Sequence, residues 1–268
     1  MQVRLLGTGG SDGIPAFYGN DRVSAYARQH RGKEIRTRAA AIVDGTLKID
    51  LGPDTLCQLN ACGLEARDWT ALFFTHSDGD HLCLSELQYG LFPFVECEEL
   101  EFTVYGNETV CGLINEKYPK WPIDLVRTFK NEVYLHEGYE VIPVEATHTP
   151  GEECHNLIFA KNGVSFLYAT DTGVYSESTY GVLVARQLDA LVIECSDGKV
   201  KTPYVGHMDL AQCVEVVSRL RHSGALREGA QVVTTHHTAG GDLTHAELEE
   251  ILRPYDIVPG FDGMVIEI

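Results

Sequence analysis

Two imidazoles and two carboxylates fall within six residues at His76-Ser77-Asp78-Gly79-Asp80-His81, directly after the apolar run Leu72-Phe73-Phe74. Nitrogen and oxygen donors this dense suit zinc, manganese or iron, and a tight turn can aim neighbouring donors at two ions. Gly79 is expected to give that turn a freedom that a Cβ would remove. Three other apolar runs end on a donor: Val144-Glu145-Ala146-Thr147 before His148, Phe166-Leu167-Tyr168-Ala169-Thr170 before Asp171, and Val232-Val233-Thr234-Thr235 before His236. Gly206-His207-Met208-Asp209 differs in kind, standing just before a helix-like stretch. Taken alone, a histidine at a strand end is usually structural. Taken together, strands that leave a core at one edge can bring such residues into one cleft.

Several other polar residues read as structural. His237 follows His236 directly and, on a strand, faces the opposite side. His155 reads as a loop histidine. Asp12 lies in the glycine-rich stretch Gly7–Gly13, where it either closes an Asx-turn or hydrogen-bonds near the metals. That stretch lacks the spacing of a dinucleotide-binding fingerprint. Asp262 is expected to pin a turn before the last strand.

The elements that must position these groups are mostly strands. Strand-like segments are Gln2–Leu6, Ala39–Val43, Leu47–Asp50, Ala71–Thr75, Glu101–Tyr105, Val133–Leu135, Glu140–Thr147, Asn156–Phe159, Val164–Thr170, Ala190–Glu194, Gln231–Thr235 and Met264–Ile268. Asp44-Gly45 reads as a hairpin turn. Asp209–Leu220 has helical periodicity, with Leu210, Cys213, Val214, Val217 and Leu220 on one face. Thr244-His245-Ala246-Glu247 is a capping box opening a helix toward Ile251. Antiparallel-looking strands with interspersed helices, and no linker or repeat, predict two sheets sandwiched between helices in a single domain over residues 1–268.

Composition narrows the partners. The chain of 268 residues is 44% hydrophobic and carries a net charge of −18, which disfavours bulk nucleic acid. The largest basic cluster, Arg28 to Arg38, holds five Lys/Arg interrupted by Glu34. No apolar run is long enough to span a bilayer and no signal peptide is evident, so a cytoplasmic protein without a membrane partner is expected. The eight cysteines lack CxxC pairs and read as reduced thiols.

In the order and context of these donors, the chain resembles the metallo-β-lactamase superfamily, whose signature is His-x-His-x-Asp-His followed by a distant His, Asp and His. Within it, the chain is most similar to the phosphodiesterases of phosphonate degradation, which open ribosyl cyclic phosphates. That likeness extends over Leu6–Ala16, Thr170-Asp171-Thr172, Gly206–Leu210 and Gly260–Met264. It implies an α/β fold, an αββα sandwich of two mixed β-sheets flanked by helices. It also implies two divalent metal ions: His76, Asp78 and His148 hold the first, Asp80, His81 and His236 the second, and Asp171 bridges. His207 and Asp80 are the implied catalytic residues, with His207 contacting the phosphate or protonating the leaving oxygen. A helix N-terminus near Asp209 would favour an anion there but disfavour imidazolium, so an acid role for His207 requires a carboxylate or bound phosphate beside it.

Two departures from the family pattern matter. Asp78 stands where the family has histidine, and its harder oxygen donor shifts the expected metal from zinc toward manganese or iron. The stretch Phe17–Tyr26 contains no cysteine, so the structural zinc of the phosphonate-pathway enzymes is not expected. The function expected is a binuclear hydrolase cleaving a small, sometimes cyclic, phosphate ester. The alternatives are a lactonase or thioesterase of the same fold, a di-iron redox protein and a non-catalytic metal-binding protein. The partner expected is a small phosphate ester, and a homodimer is compatible with the sequence.

Overall fold

The computed structural model describes residues 1–91, 93–95, 102–120, 122 and 124–268. The first sheet comprises β1 (Gln2–Gly7), β2 (Ala40–Val43), β3 (Leu47–Ile49), β4 (Ala71–Phe73), β5 (Thr103–Gly106), β6 (Leu125–Arg127) and β14 (Val265–Glu267), in the order β14-β1-β2-β3-β4-β5-β6. The second comprises β7 (Tyr134–His136), β8 (Tyr139–Glu145), β9 (His155–Lys161), β10 (Val164–Ala169), β11 (Leu188–Glu194), β12 (Leu226–Thr235) and β13 (Val258–Pro259), in the order β13-β12-β11-β10-β9-β8-β7. The helices are α1 (Arg22–His30), α2 (Thr55–Cys62), α3 (Leu84–Leu87), α4 (Glu108–Lys117), α5 (Glu177–Val184), α6 (Leu210–His222) and α7 (His245–Leu252).

Residue alternation explains the layering. In β10, Phe166 and Tyr168 face the first sheet across the central core, while Leu167 and Ala169 pack outward beneath α5 and α6. In β4, Ala71 and Phe73 point inward, and Leu72 and Phe74 pack outward beside α4 residues Val110 and Ile114. With both faces covered, these strands read as continuous apolar runs rather than as alternating ones. The result is two mixed sheets flanked by helices.

Each sheet is half parallel, which the antiparallel look of the sequence did not convey. β3, β4, β5 and β6 run parallel to one another, as do β10, β11, β12 and β13. A parallel pair needs a long crossover, and α2, α4, α5 and α6 fall between the successive strands of these pairs. The two-residue β13 and the short β6 escaped notice because neither carries an apolar run. The Glu101–Tyr105 segment begins on a residue outside the described set; its strand is seen as β5. The hairpin at Asp44-Gly45 joins β2 to β3 with both residues left-handed, as a tight hairpin turn requires.

The expected capping box at Thr244 and the expected helix start near Asp209 both match the helices found. Asp209 caps α6 in a box with Gln212, and Thr244 caps α7 in a box with Glu247. On α6 the buried stripe is Cys213, Val216, Val217 and Leu220, with Leu210 and Val214 at its margin. In the basic cluster, Arg28 donates to Gly19 O, Lys33 pairs with Glu249, Arg36 is buried and Arg38 pairs with Asp54. The described cysteines are free thiols, and Cys97 lies outside the described residues. Among the described residues, no helix is long and apolar enough to cross a membrane.

Candidate metal centre

The donor residues converge at one edge of the sandwich, because each follows a strand that ends there. The His76–His81 turn leaves β4, while His148, Asp171 and His236 follow β8, β10 and β12. Asp80, His81, Asp171 and His236 form one group able to hold a metal ion, and His76, His148 and Asp171 form a second. Asp171 is common to both, and it also forms a third such group with Glu194 and His207. Its Oδ2 lies 3.4 Å from His76 Nε2, 3.3 Å from His81 Nε2 and 3.6 Å from His148 Nε2, while Oδ1 lies 2.9 Å from His236 Nε2. Asp78 Oδ2 is 3.1 Å from His148 Nε2 and 3.5 Å from His76 Nε2. Asp80 Oδ2 is 3.3 Å from His81 Nε2 and 3.6 Å from His236 Nε2. All seven donors named from the sequence are therefore together.

The chemistry of this cluster fits divalent ions. His76 Nε2, His81 Nε2, His236 Nε2 and Asp80 Oδ2 are buried and lack a hydrogen-bond partner, a costly arrangement for a protein without something to bind there. Burial pushes the Asp80 and Asp171 carboxyls up, but the facing imidazoles outweigh it and hold both well below the usual range. Burial likewise lowers His76 and His236, yet the carboxylates around them raise these rings to about 9 and about 10. The cluster is built to attract positive charge.

The other nitrogen of each imidazole is tied down, which fixes the ring. His81 Nδ1 is 2.7 Å from Asp50 Oδ2, and His76 Nδ1 is 2.9 Å from Thr75 Oγ1, which itself donates to Asp50. His148 Nδ1 donates to Gly206 O at 3.0 Å, and His236 Nδ1 is 2.9 Å from Ser196 Oγ. Ser196 Oγ in turn donates to Glu194 Oε2 at 2.6 Å. Three non-glycine residues here have left-handed backbones: Asp50 (φ 58°), Asp171 (φ 28°) and His236 (φ 53°). Such conformations cost on the order of 1 kcal/mol each and persist where packing enforces them, commonly at functional sites.

Glu194 is the group the sequence reading missed. Fully buried at the end of β11, its Oε1 accepts from Thr172 N at 2.7 Å and lies 2.8 Å from His207 Nδ1, and its Oε2 accepts from Met208 N at 3.2 Å. It supplies the carboxylate that His207 requires beside the start of α6. Burial pushes the His207 pKa down, and Glu194 more than reverses that, leaving the ring above its ordinary value. Asp50 and Glu194 both terminate apolar strand segments, Leu47-Lys48-Ile49 and Leu191-Val192-Ile193.

Three expectations need correction. Gly79 is not left-handed, and a Cβ there would meet no atom within 4 Å. The glycine that this turn requires is Gly52, where a Cβ would lie 2.1 Å from Asp80 O. His155 is not in a loop: it opens β9 fully buried, with Nε2 3.0 Å from Glu153 Oε1, and its N–H donates to Thr75 O, pinning the start of the donor turn. Asp262 does more than pin a local turn, since it accepts from Thr8 Oγ1 and from Thr37 N and Oγ1, each at 2.7 Å. His237 lies outside the cluster, buried with Nε2 3.1 Å from Thr234 Oγ1. Asp12 is exposed, close enough to His236 and Arg38 to feel both charges.

Comparison with known proteins places this geometry in context. A diphosphatase from the PhnP family superposes with a TM-score of 0.79 at 23% identity, covering 100% of this chain and 97% of its own. Zinc-bound PqqB from Methylobacterium extorquens gives 0.79 at 16% identity, with both chains fully covered. The short form of human tRNase Z gives 0.66 at 17% identity, covering 100% of this chain and 99% of its own. At these identities the likeness is one of fold. No curated protein matches the sequence. Residues 46–237 match the family described as the beta-lactamase superfamily domain, and the chain belongs to that superfamily.

Proposed function

We propose that the protein is a binuclear metal-dependent phosphodiesterase acting on small phosphate esters, cyclic ones included. The observation that carries this reading is Asp171, one carboxylate facing two separate donor groups. His76, Asp78 and His148 would hold the first ion and Asp80, His81 and His236 the second, with Asp171 between them. A pair of divalent ions would there supply hydroxide near neutral pH and neutralise charge on the phosphoryl oxygens.

The chain's own residues complete the chemistry. Glu194 holds one ring nitrogen of His207 at 2.8 Å, so it fixes the ring and favours its protonated form. In that form, His207 binds a phosphoryl oxygen or protonates the departing alkoxide. Asp80, whose buried Oδ2 has no hydrogen-bond partner, would serve the chemistry as a ligand of the second ion, holding it where the attacking water is activated. The fold likeness to a diphosphatase supports phosphoester chemistry. The net charge of −18 favours a small ester over a folded RNA.

Reconstitution with manganese, zinc or iron tests the reading. A bis-aryl phosphodiester, a 2′,3′-cyclic nucleotide, a lactone and a thioester are assayed side by side. Turnover of the phosphodiesters is expected. Clear lactone or thioester cleavage without phosphodiester turnover under any metal overturns it.

A further inference from the structure

The rim of the centre carries an aromatic residue to which neither the donor set nor the chemistry above gives a role. Tyr204 lies between Glu194 and His207 in the chain and is 43% exposed. Its ring centroid is 5.4 Å from that of His207 and 6.0 Å from that of His148, nearly edge-on to both. The hydroxyl fixes this placement: it donates to His148 O at 3.4 Å and lies 3.3 Å from His148 Nδ1.

The backbone beneath is equally confined. A Cβ on Gly206 would fall 2.4 Å from Tyr204 Oη, and one on Gly173 would fall 1.8 Å from Val205 O. Both glycines let the segment close onto the centre. Val205, next in the chain, is 73% exposed, and Val174, next to Gly173, is 44% exposed. Exposed apolar surface beside a cleft lined with charged donors marks a ligand-binding wall.

Resting on the phosphoester reading, we propose that Tyr204 is a specificity residue that stacks on an aromatic group of the substrate, making aryl or nucleoside phosphoesters the preferred class. The tether to His148 holds the ring while one part of it stays open to solvent. A phosphate at the donor cluster carries its ester substituent past His207 and against that ring. Aromatic pairs of this kind add about 0.5–1.5 kcal/mol beyond area burial, roughly a two- to thirteenfold change in affinity.

Calorimetry on protein saturated with manganese separates ring from phosphate, using phenylphosphonate and methylphosphonate as probes. The wild type is expected to prefer phenylphosphonate. Tyr204→Leu should reduce that preference about three- to tenfold, whereas Tyr204→Phe, which keeps the ring and loses only its tether, should lose clearly less. Because both probes share the phosphonate, general damage to the centre cancels in their ratio. An unchanged ratio in Tyr204→Leu overturns the inference and leaves the phosphoester reading standing. So does a loss in Tyr204→Phe as large as that in Tyr204→Leu, which would assign the effect to the hydroxyl. Failure of the wild type to bind either phosphonate removes both.

Discussion

The two donor groups that meet at Asp171 differ in enclosure and in bracing. In the group of Asp80, His81 and His236, side-chain exposure is 10%, 0% and 3%; on the other side His76 (1%) and His148 (4%) are as buried, and the opening is at Asp78 beside them, 44% exposed. His81 is held directly by the buried carboxylate of Asp50, and His236 reaches Glu194 through Ser196. On the open side, His148 is held by the backbone carbonyl of buried Gly206 rather than by a carboxylate, and His76 reaches Asp50 only through Thr75. A buried, carboxylate-braced pocket binds an ion tightly and exchanges it slowly. The open one leaves room for a substrate oxygen and tolerates a change of donor. The enclosed pocket of Asp80, His81 and His236 is therefore expected to fill first when metal is titrated into the apoprotein.

The most severe test is at the shared residue. Asp171→Ala should empty both pockets, because losing a ligand exceeds the roughly 10–100-fold affinity loss typical of an outer partner. Metal analysis after dialysis checks this, and one pocket remaining full would break the idea of a common carboxylate. His207 belongs to neither pocket, so His207→Ala should lower phosphodiester turnover by about 10²–10⁴-fold with the metal content unchanged. Loss of an ion instead would make His207 a ligand.

Smaller effects distinguish the pockets from each other. Asp50→Asn should weaken the enclosed pocket by roughly 10–100-fold and the open one by less, seen as two separated steps drawing together in a metal titration. Equal weakening would mean that the Thr75 bridge couples as strongly as the direct bond. Asp78→His should leave affinity nearly unchanged while moving the open pocket's preference from manganese or iron toward zinc. Competition among the three metals, read by elemental analysis, decides it. Tightly held zinc at both positions in unsupplemented wild-type protein would remove the premise.

The contrast also explains what the sequence could and could not disclose. The donors were legible because apolar strands ending in histidine or aspartate leave a visible pattern, and both sheets deliver such ends to one edge. Strand direction was not legible. The half-parallel pairing depends on crossovers through helices such as α2 and α4, and the mixed sheets were implied by the family resemblance rather than by any strand's own residues. The bracing residues were hidden for a different reason. Asp50 follows Lys48, whose charge interrupts an apolar run, although its amine is fully buried and donates to Ile49 O. Glu194 gains significance only from residues two and thirteen positions away, Ser196 and His207, which no local pattern joins. Gly79 shows the converse, since a glycine in a conspicuous motif proved less constrained than Gly52 outside it.

The clasp formed by Asp262 has a consequence for the order of assembly. Thr8, which donates to Asp262, also accepts the His237 N–H through its own carbonyl, and buried Arg36 ties Thr8 to Gly260 O. The wall behind His236 is thus closed by segments more than 250 residues apart in the chain. Contacts so distant form late, after the loop between them has been ordered. During synthesis, the His76–His81 turn emerges long before the residues that complete the enclosed pocket. On the proposed metal reading, the enclosed pocket would be complete only once the last strand has docked, so ion binding would close the folding sequence rather than seed it.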